Sequence, residues 1–179
     1  MSQKNLFFEG SAHVPLLIMP PQGRSLPQNI SVEAPTDLVD LYPTILAMAG
    51  LSSPVSVSGR NLLEPVPMDR IFFGNSLNRN FCVMEEKVKL VYSAVGDHVL
   101  LFDLNTDPME QHNLAEDPAW QERKAKLWKL LLEHTAQYTP EALDEKGQFL
   151  TYEAPHFPGD VPGRWFGFHY HDYSVDTFH

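Results

Sequence analysis

The chain is nearly devoid of cysteine. Cys82 is the only one among 179 residues, which excludes an internal disulfide and any zinc site built from several thiolates. Long apolar runs are missing too. Nothing approaches the ~18 residues that a membrane-spanning helix needs. The start, MSQKNLFFEG, has neither the apolar core nor the cleavage pattern of a secretory leader, so no signal peptide is expected there. Positive charge is scarce: 13 Lys and Arg stand against 23 Asp and Glu, a formal net charge of −10. An acidic surface repels phosphate backbones, so nucleic acid is not an expected partner. No internal repeat and no long run of one charge sign occurs. Hydrophobic residues make up 43%, enough to build a real core in one domain, or in one domain with a small appendage.

What is present begins with a short apolar run at residues 14–19, bounded by turn formers, which predicts a buried strand. After a polar connection, Leu38, Leu41, Tyr42, Ile45, Met48 and Ala49 recur at three- and four-residue steps. They predict a helix over residues 40–49 with one apolar face. Asp40 is its expected cap, Pro43 falls in the first turn, and Gly50 is the expected left-handed terminator. Residues 51–67 are rich in Ser, Pro and Gly and read as a surface connection.

From Ile71 the pattern changes. Residues 71–74, 81–85, 88–93 and 98–103 are short, rich in β-branched and aromatic side chains, and separated by turns. Glu86-Lys87 and Gly96-Asp97 are too short for parallel crossovers, so the strands pair antiparallel. A helix starting at Glu116 or Asp117 and running to about Gln137 is the expected cover, with Trp120, Leu127, Leu130, Leu131 and His134 on one side. The tail from Thr139 is dense in Pro, Gly and aromatics and holds four of the eight histidines. It is expected to strap over the body. The expected class is α+β: a small four-stranded antiparallel sheet packed by a C-terminal helix, preceded by a strand-helix piece of a larger α/β core. The expected segments are 1–67, 68–138 and 139–179.

Three patches carry a family resemblance. Lys4, then Phe8-Glu9-Gly10 and His13-Val14-Pro15-Leu16, resembles the sulfatase segment in which a lysine precedes aromatic-Glu-Gly and Arg-Val-Pro-Leu. Asp40-Leu41-Tyr42-Pro43-Thr44, closing on Ala49-Gly50, is similar to the family's Asp-Leu-x-Pro-Thr helix. Leu101-Phe102-Asp103-Leu104, Asp107-Pro108, Glu110 and Asn113-Leu114 resemble its Leu-Tyr-Asp-Leu…Asp-Pro-x-Glu-x-x-Asn-Leu signature. Gly59-Arg60-Asn61-Leu62-Leu63 resembles a Gly-x-Ser-Leu segment of the same family. The likeness covers roughly residues 4–135, in the family's order, and matches only the C-terminal part of a sulfatase.

The resemblance implies roles. A sulfate ester is an anion whose leaving oxygen gains charge in the transition state, and a fixed ammonium stabilises both. Lys4 stands where the family's lysine contacts the sulfate; read alone, it is an ordinary solvated side chain. His13 stands where the family more often has arginine and is a weaker candidate for substrate binding, since a mostly neutral imidazole is a poorer anion ligand. Glu9 reads either as a partner for a cation or as a turn cap.

The remaining candidates read as structural. Cys82 lacks the Cys/Ser-x-Pro-x-Arg context that matures to formylglycine, and sits within a predicted strand as a small buried residue. Asp37, Asp40, Asp103 and Asp107 lie in different elements without a calcium-loop pattern and read as caps and turn formers. His169 and His171, with His156 or His179, form a conceivable metal group, set against an aromatic strap that simply contains histidines. No metal site is expected in this chain alone. Calcium and formylglycine are implied for a full-length parent.

Two classes of function follow. The first is the C-terminal part of a sulfatase-like sulfuric ester hydrolase, inactive in isolation, whose parent takes a sulfate ester and whose missing N-terminal half is its partner. A fragment of a related phosphate or phosphonate ester hydrolase is a variant of it. The second is a standalone binding or interaction module. The compartment is open, although such enzymes are often exported.

Overall fold

A computed structural model describes residues 7–19, 31–54 and 57–153. Its centre is a sheet of four strands in the order β1-β2-β3-β4: β1 Phe72–Ser76, β2 Asn80–Glu85, β3 Val88–Ser93 and β4 His98–Asp103. β2 pairs antiparallel with β3, Cys82 opposite Val91, and β3 with β4, Lys89 opposite Phe102. Glu86 and Lys87 both take positive φ, 52° and 63°. That is the twist a two-residue hairpin requires, here reached without Asn or Gly.

Alternation along the strands sends Phe81, Val83, Leu90 and Tyr92 to one face. Helix α3, Gln121–Tyr138, covers it with Leu127, Leu131 and Thr135. Its start follows the expected signals: Asp117 accepts from the Ala119 amide and Pro118 opens a 3-10 turn. The buried stripe is Leu127-Leu131-Thr135, joined by Trp128, whose ring meets Tyr92 edge-on at 4.9 Å. Trp120, Leu130 and His134 are only half-buried.

The beginning of the tail straps over this core. Leu143 bridges Phe149, and Tyr152 bridges Val95. Phe149 sits among Phe81 at 4.6 Å, Tyr92 at 4.7 Å and Trp128 at 5.5 Å. The later part of the tail, including His156, His169, His171 and His179, lies outside the described residues.

All six residues of β3 are buried, so its second face is also covered. Within this unit the cover is the segment around α1, Glu9–Ala12. The Phe8 ring packs on Phe102, 5.9 Å between centroids. The Phe7 ring lies over Gly74, where a β-carbon would overlap it. Residues 7–14 therefore group with residues 73–153.

Residues 15–72 form a second unit. Its helix α2, Leu41–Met48, follows a 3-10 turn, Leu38–Asp40, and ends as expected at Gly50, with φ 76°. Asp40 holds the N-cap position of α2 as expected but makes no side-chain cap bond there; the capping box lies a turn earlier, between Asp37 and Asp40 at the 3-10 turn. One expectation is corrected here. The side that is buried carries Asp40, Pro43 and Thr44, while Leu38, Tyr42 and Ile45 face outward. The Thr44 hydroxyl donates to the Asp40 carbonyl at 2.6 Å and accepts from the Leu62 amide at 2.9 Å, tying the 57–63 connection to α2. Gly59 passes so close to the Val39 carbonyl that a β-carbon would overlap its oxygen.

Residues 14–19 are the second correction. No strand forms there, and Leu17 is 93% exposed. A strand exists only through ladder bonds to a neighbour, and none of the described residues provides one.

Candidate functional site

The strongest polar constellation lies on the second face of the sheet, within the unit that holds residues 7–14 and 73–153. Lys89 points there from β3, its side chain 3% exposed. Its ammonium donates to the Phe7 carbonyl at 2.8 Å, to Glu110 Oε1 at 2.8 Å and to Glu9 Oε1. Glu110 Oε2 accepts from the Glu9 amide at 2.6 Å. Glu9 Oε2 faces His13 Nδ1 at 2.9 Å.

Each member is placed by local structure. β3 alternation turns Lys89 away from α3. Glu110 stands at φ 55°, just after a turn held by Asp103. Asp103 accepts from the Asn105 amide and side chain and from the Thr106 hydroxyl. Asn113 then accepts from the Leu101 and Ala115 amides, pinning the chain back on β4. Burial alone would favour a neutral Lys89, but the bonds to Glu110 and Glu9 outweigh it and hold the ammonium's pKa above its ordinary value.

The sequence-predicted residues divide accordingly. Lys4 lies outside the described residues. His13 is exposed beside Glu9. Glu9 takes the first of its two expected roles, partner to a cation. Cys82 is fully buried, and burial pushes its thiol up to about 12, leaving it protonated and unreactive at neutral pH. Asp40 binds Arg70 and backbone amides, Asp103 is a turn former, and Asp107 accepts from the His112 amide. Among the described residues no group of three or more His, Cys, Asp or Glu converges as a metal site. The residues here thus fit neither calcium nor formylglycine. No helix among them is long and apolar enough to cross a membrane.

Lys89 was not singled out by the sequence reading. Its signal is faint: one lysine inside an otherwise apolar strand, Val88-Lys89-Leu90-Val91-Tyr92. Its partners come from 80 and 21 residues away.

The glutamates that meet on Lys89 are those of the first and third sulfatase-like patches. No family model matches the chain. Bovine (Bos taurus) arylsulfatase K is 34% identical over 131 residues, 63% of this chain and 24% of the relative. Choline-sulfatase of Rhizobium meliloti (strain 1021) is 34% identical over 166 residues, 83% of this chain and 31% of the relative. A phosphonate monoester hydrolase of Agrobacterium radiobacter superposes with a TM-score of 0.47 at 26% identity, over 65% of this chain and 29% of its own. The chain thus spans about a quarter to a third of the length of the curated relatives it matches. With sequence kinship to curated sulfatases over 63% to 83% of its length, the chain belongs to the sulfatase family.

Proposed function

We propose that this chain acts as the C-terminal part of a sulfatase-like sulfuric ester hydrolase and is catalytically silent by itself. The observation that carries this reading is the meeting of Glu9 and Glu110 on Lys89. Two sulfatase-like patches 101 residues apart close into one unit, as a working part of such an enzyme requires. Lys4, five residues before Glu9, is the side chain assigned to the sulfate group. His13 is a secondary candidate for substrate binding. The nucleophile and calcium ligands belong to other parts of the enzyme, since no Cys/Ser-x-Pro-x-Arg occurs in these 179 residues.

The outward apolar side of α2 fits the same reading. Leu38, Tyr42 and Ile45 form a stripe of the kind that another body covers. It also favours the second reading, an interaction module with a protein partner. Size-exclusion chromatography separates the two: a clean stable monomer supports the independent module, and self-association supports a part that lacks its cover.

The direct test is a chimera. The matched segment of the Rhizobium meliloti choline-sulfatase is replaced by this chain, and hydrolysis of a sulfate ester is followed. Turnover lost on Lys4→Ala is the expected result; a folded chimera without turnover overturns the proposal. The isolated chain is expected to turn over neither an aryl sulfate nor a phosphonate monoester. Turnover that Lys4→Ala abolishes in the isolated chain would contradict its silence.

A further inference from the structure

We propose that Lys89 is a positioning residue: held by Glu110, it grips Glu9 and the Phe7 carbonyl and so fixes the register on the sheet of residues 7–13, the segment that follows Lys4 in the sequence. This rests on the reading above for its link to substrate, but the grip itself does not.

The ammonium has three hydrogens, and three acceptors take them: Phe7 O, Glu9 Oε1 and Glu110 Oε1. None is left for a substrate oxygen, so Lys89 acts through the segment and not on the ester. The hold on Glu9 is double. Its carboxylate meets Lys89, and its amide donates to Glu110 at 2.6 Å. Backbone and side chain of one residue are thus fixed by two partners on the sheet side. Apolar contacts flank the hold, Phe7 over Gly74 and Phe8 on Phe102.

A register device differs from a plain source of stability. Well-packed apolar side chains often serve a buried cluster's stability as well or better, whereas charged groups accept only matching partners. Greasy contacts alone would let a short segment slide, because Phe7 and Phe8 are adjacent and alike. The charged cluster admits Glu9 and rejects its apolar neighbours. One ammonium faces two carboxylates here, and the His13 imidazole lies on the free oxygen of Glu9. Cys82, on the neighbouring strand, stays a neutral thiol.

The test is amide hydrogen exchange on the full chain, comparing wild type with Lys89→Met, Glu9→Ala and Glu9→Gln. Glu9→Ala is the deciding variant, because it leaves the Lys89–Glu110 pair in place and does not endanger the sheet. The expected result is a loss of protection of tenfold or more at the Ser11, Ala12 and His13 amides, with Leu90, Val91 and Leu101 unchanged. Glu9→Gln, which keeps an oxygen acceptor, is expected to restore part of the protection. Unchanged protection at 11–13 in Glu9→Ala overturns the proposal, and so does an equal loss across the sheet. Exchange needs no substrate, so a failed latch and a failed sulfatase assignment give different results: the first appears here, the second in the chimera.

Discussion

Arg70 Nη1 donates to Asp40 Oδ2 at 2.5 Å, across thirty residues. The same carboxylate accepts from the Asp37 amide at 2.8 Å and the Arg60 amide at 2.8 Å. One aspartate thus joins the start of α2, the following connection and the approach to β1, all within residues 15–72. Asp40→Asn leaves Arg70 without its counter-charge, and breaking such a buried pair costs ~3–5 kcal/mol. Hydrogen exchange at the α2 amides should show the loss.

Acid should act at the same point. Burial pulls the Asp40 carboxyl upward, but hydrogen bonds from Arg70 and from the Arg60 and Asp37 amides outweigh it and hold the carboxyl below the ordinary 3.8. A depressed carboxyl contributes stability that is complete above the unfolded value and drains away as pH falls through the folded one. Protection of α2 should therefore fall below about pH 4 in the wild type. In Asp40→Asn that part of the pH dependence should be missing.

Phe149→Ala empties the space between Phe81, Tyr92 and Trp128. Large-to-small changes at such sites cost ~3–5 kcal/mol. A lower urea midpoint with an unchanged slope is expected, together with altered tryptophan emission as the Trp128 ring loses its neighbour.

Cys82 should resist alkylation in the native chain, since its thiol is buried and pushed up to about 12. It should react fully in urea. Rapid labelling under native conditions would show that the sheet opens far more often than its packing implies.

Lys87 stands at φ 63° in the β2–β3 turn. A left-handed residue with a β-carbon carries a penalty of ~1–2 kcal/mol, against ~0.5–1 kcal/mol for the extra freedom that glycine loses on folding. Lys87→Gly should therefore raise the thermal midpoint slightly, provided the backbone bond from Leu104 to the Lys87 carbonyl remains.

The sheet was legible because its information is local. Val88, Leu90 and Tyr92 alternate, turns break the runs at Glu86-Lys87 and Gly96-Asp97, and β3 and β4 appear with the expected bounds. The 14–19 run carried an equally strong local signal yet forms no strand, since pairing depends on a neighbour that no local pattern specifies. The stripe on α2 shows the same limit: periodicity found Leu38, Tyr42 and Ile45 on one side, but not which side is buried. At the candidate site, Glu9 and Glu110 were visible as motif members. Lys89 was not, because a lysine among apolar neighbours reveals nothing of a partner 80 positions upstream.

Gly59 sets a rule for variation along the chain. Because the Val39 carbonyl occupies the volume where any other residue would begin its side chain, each of the other nineteen amino acids requires the backbone to shift before polarity or charge enters. A saturation library at this codon should return a single survivor, whereas its exposed neighbour Ser58 should tolerate most of the alphabet.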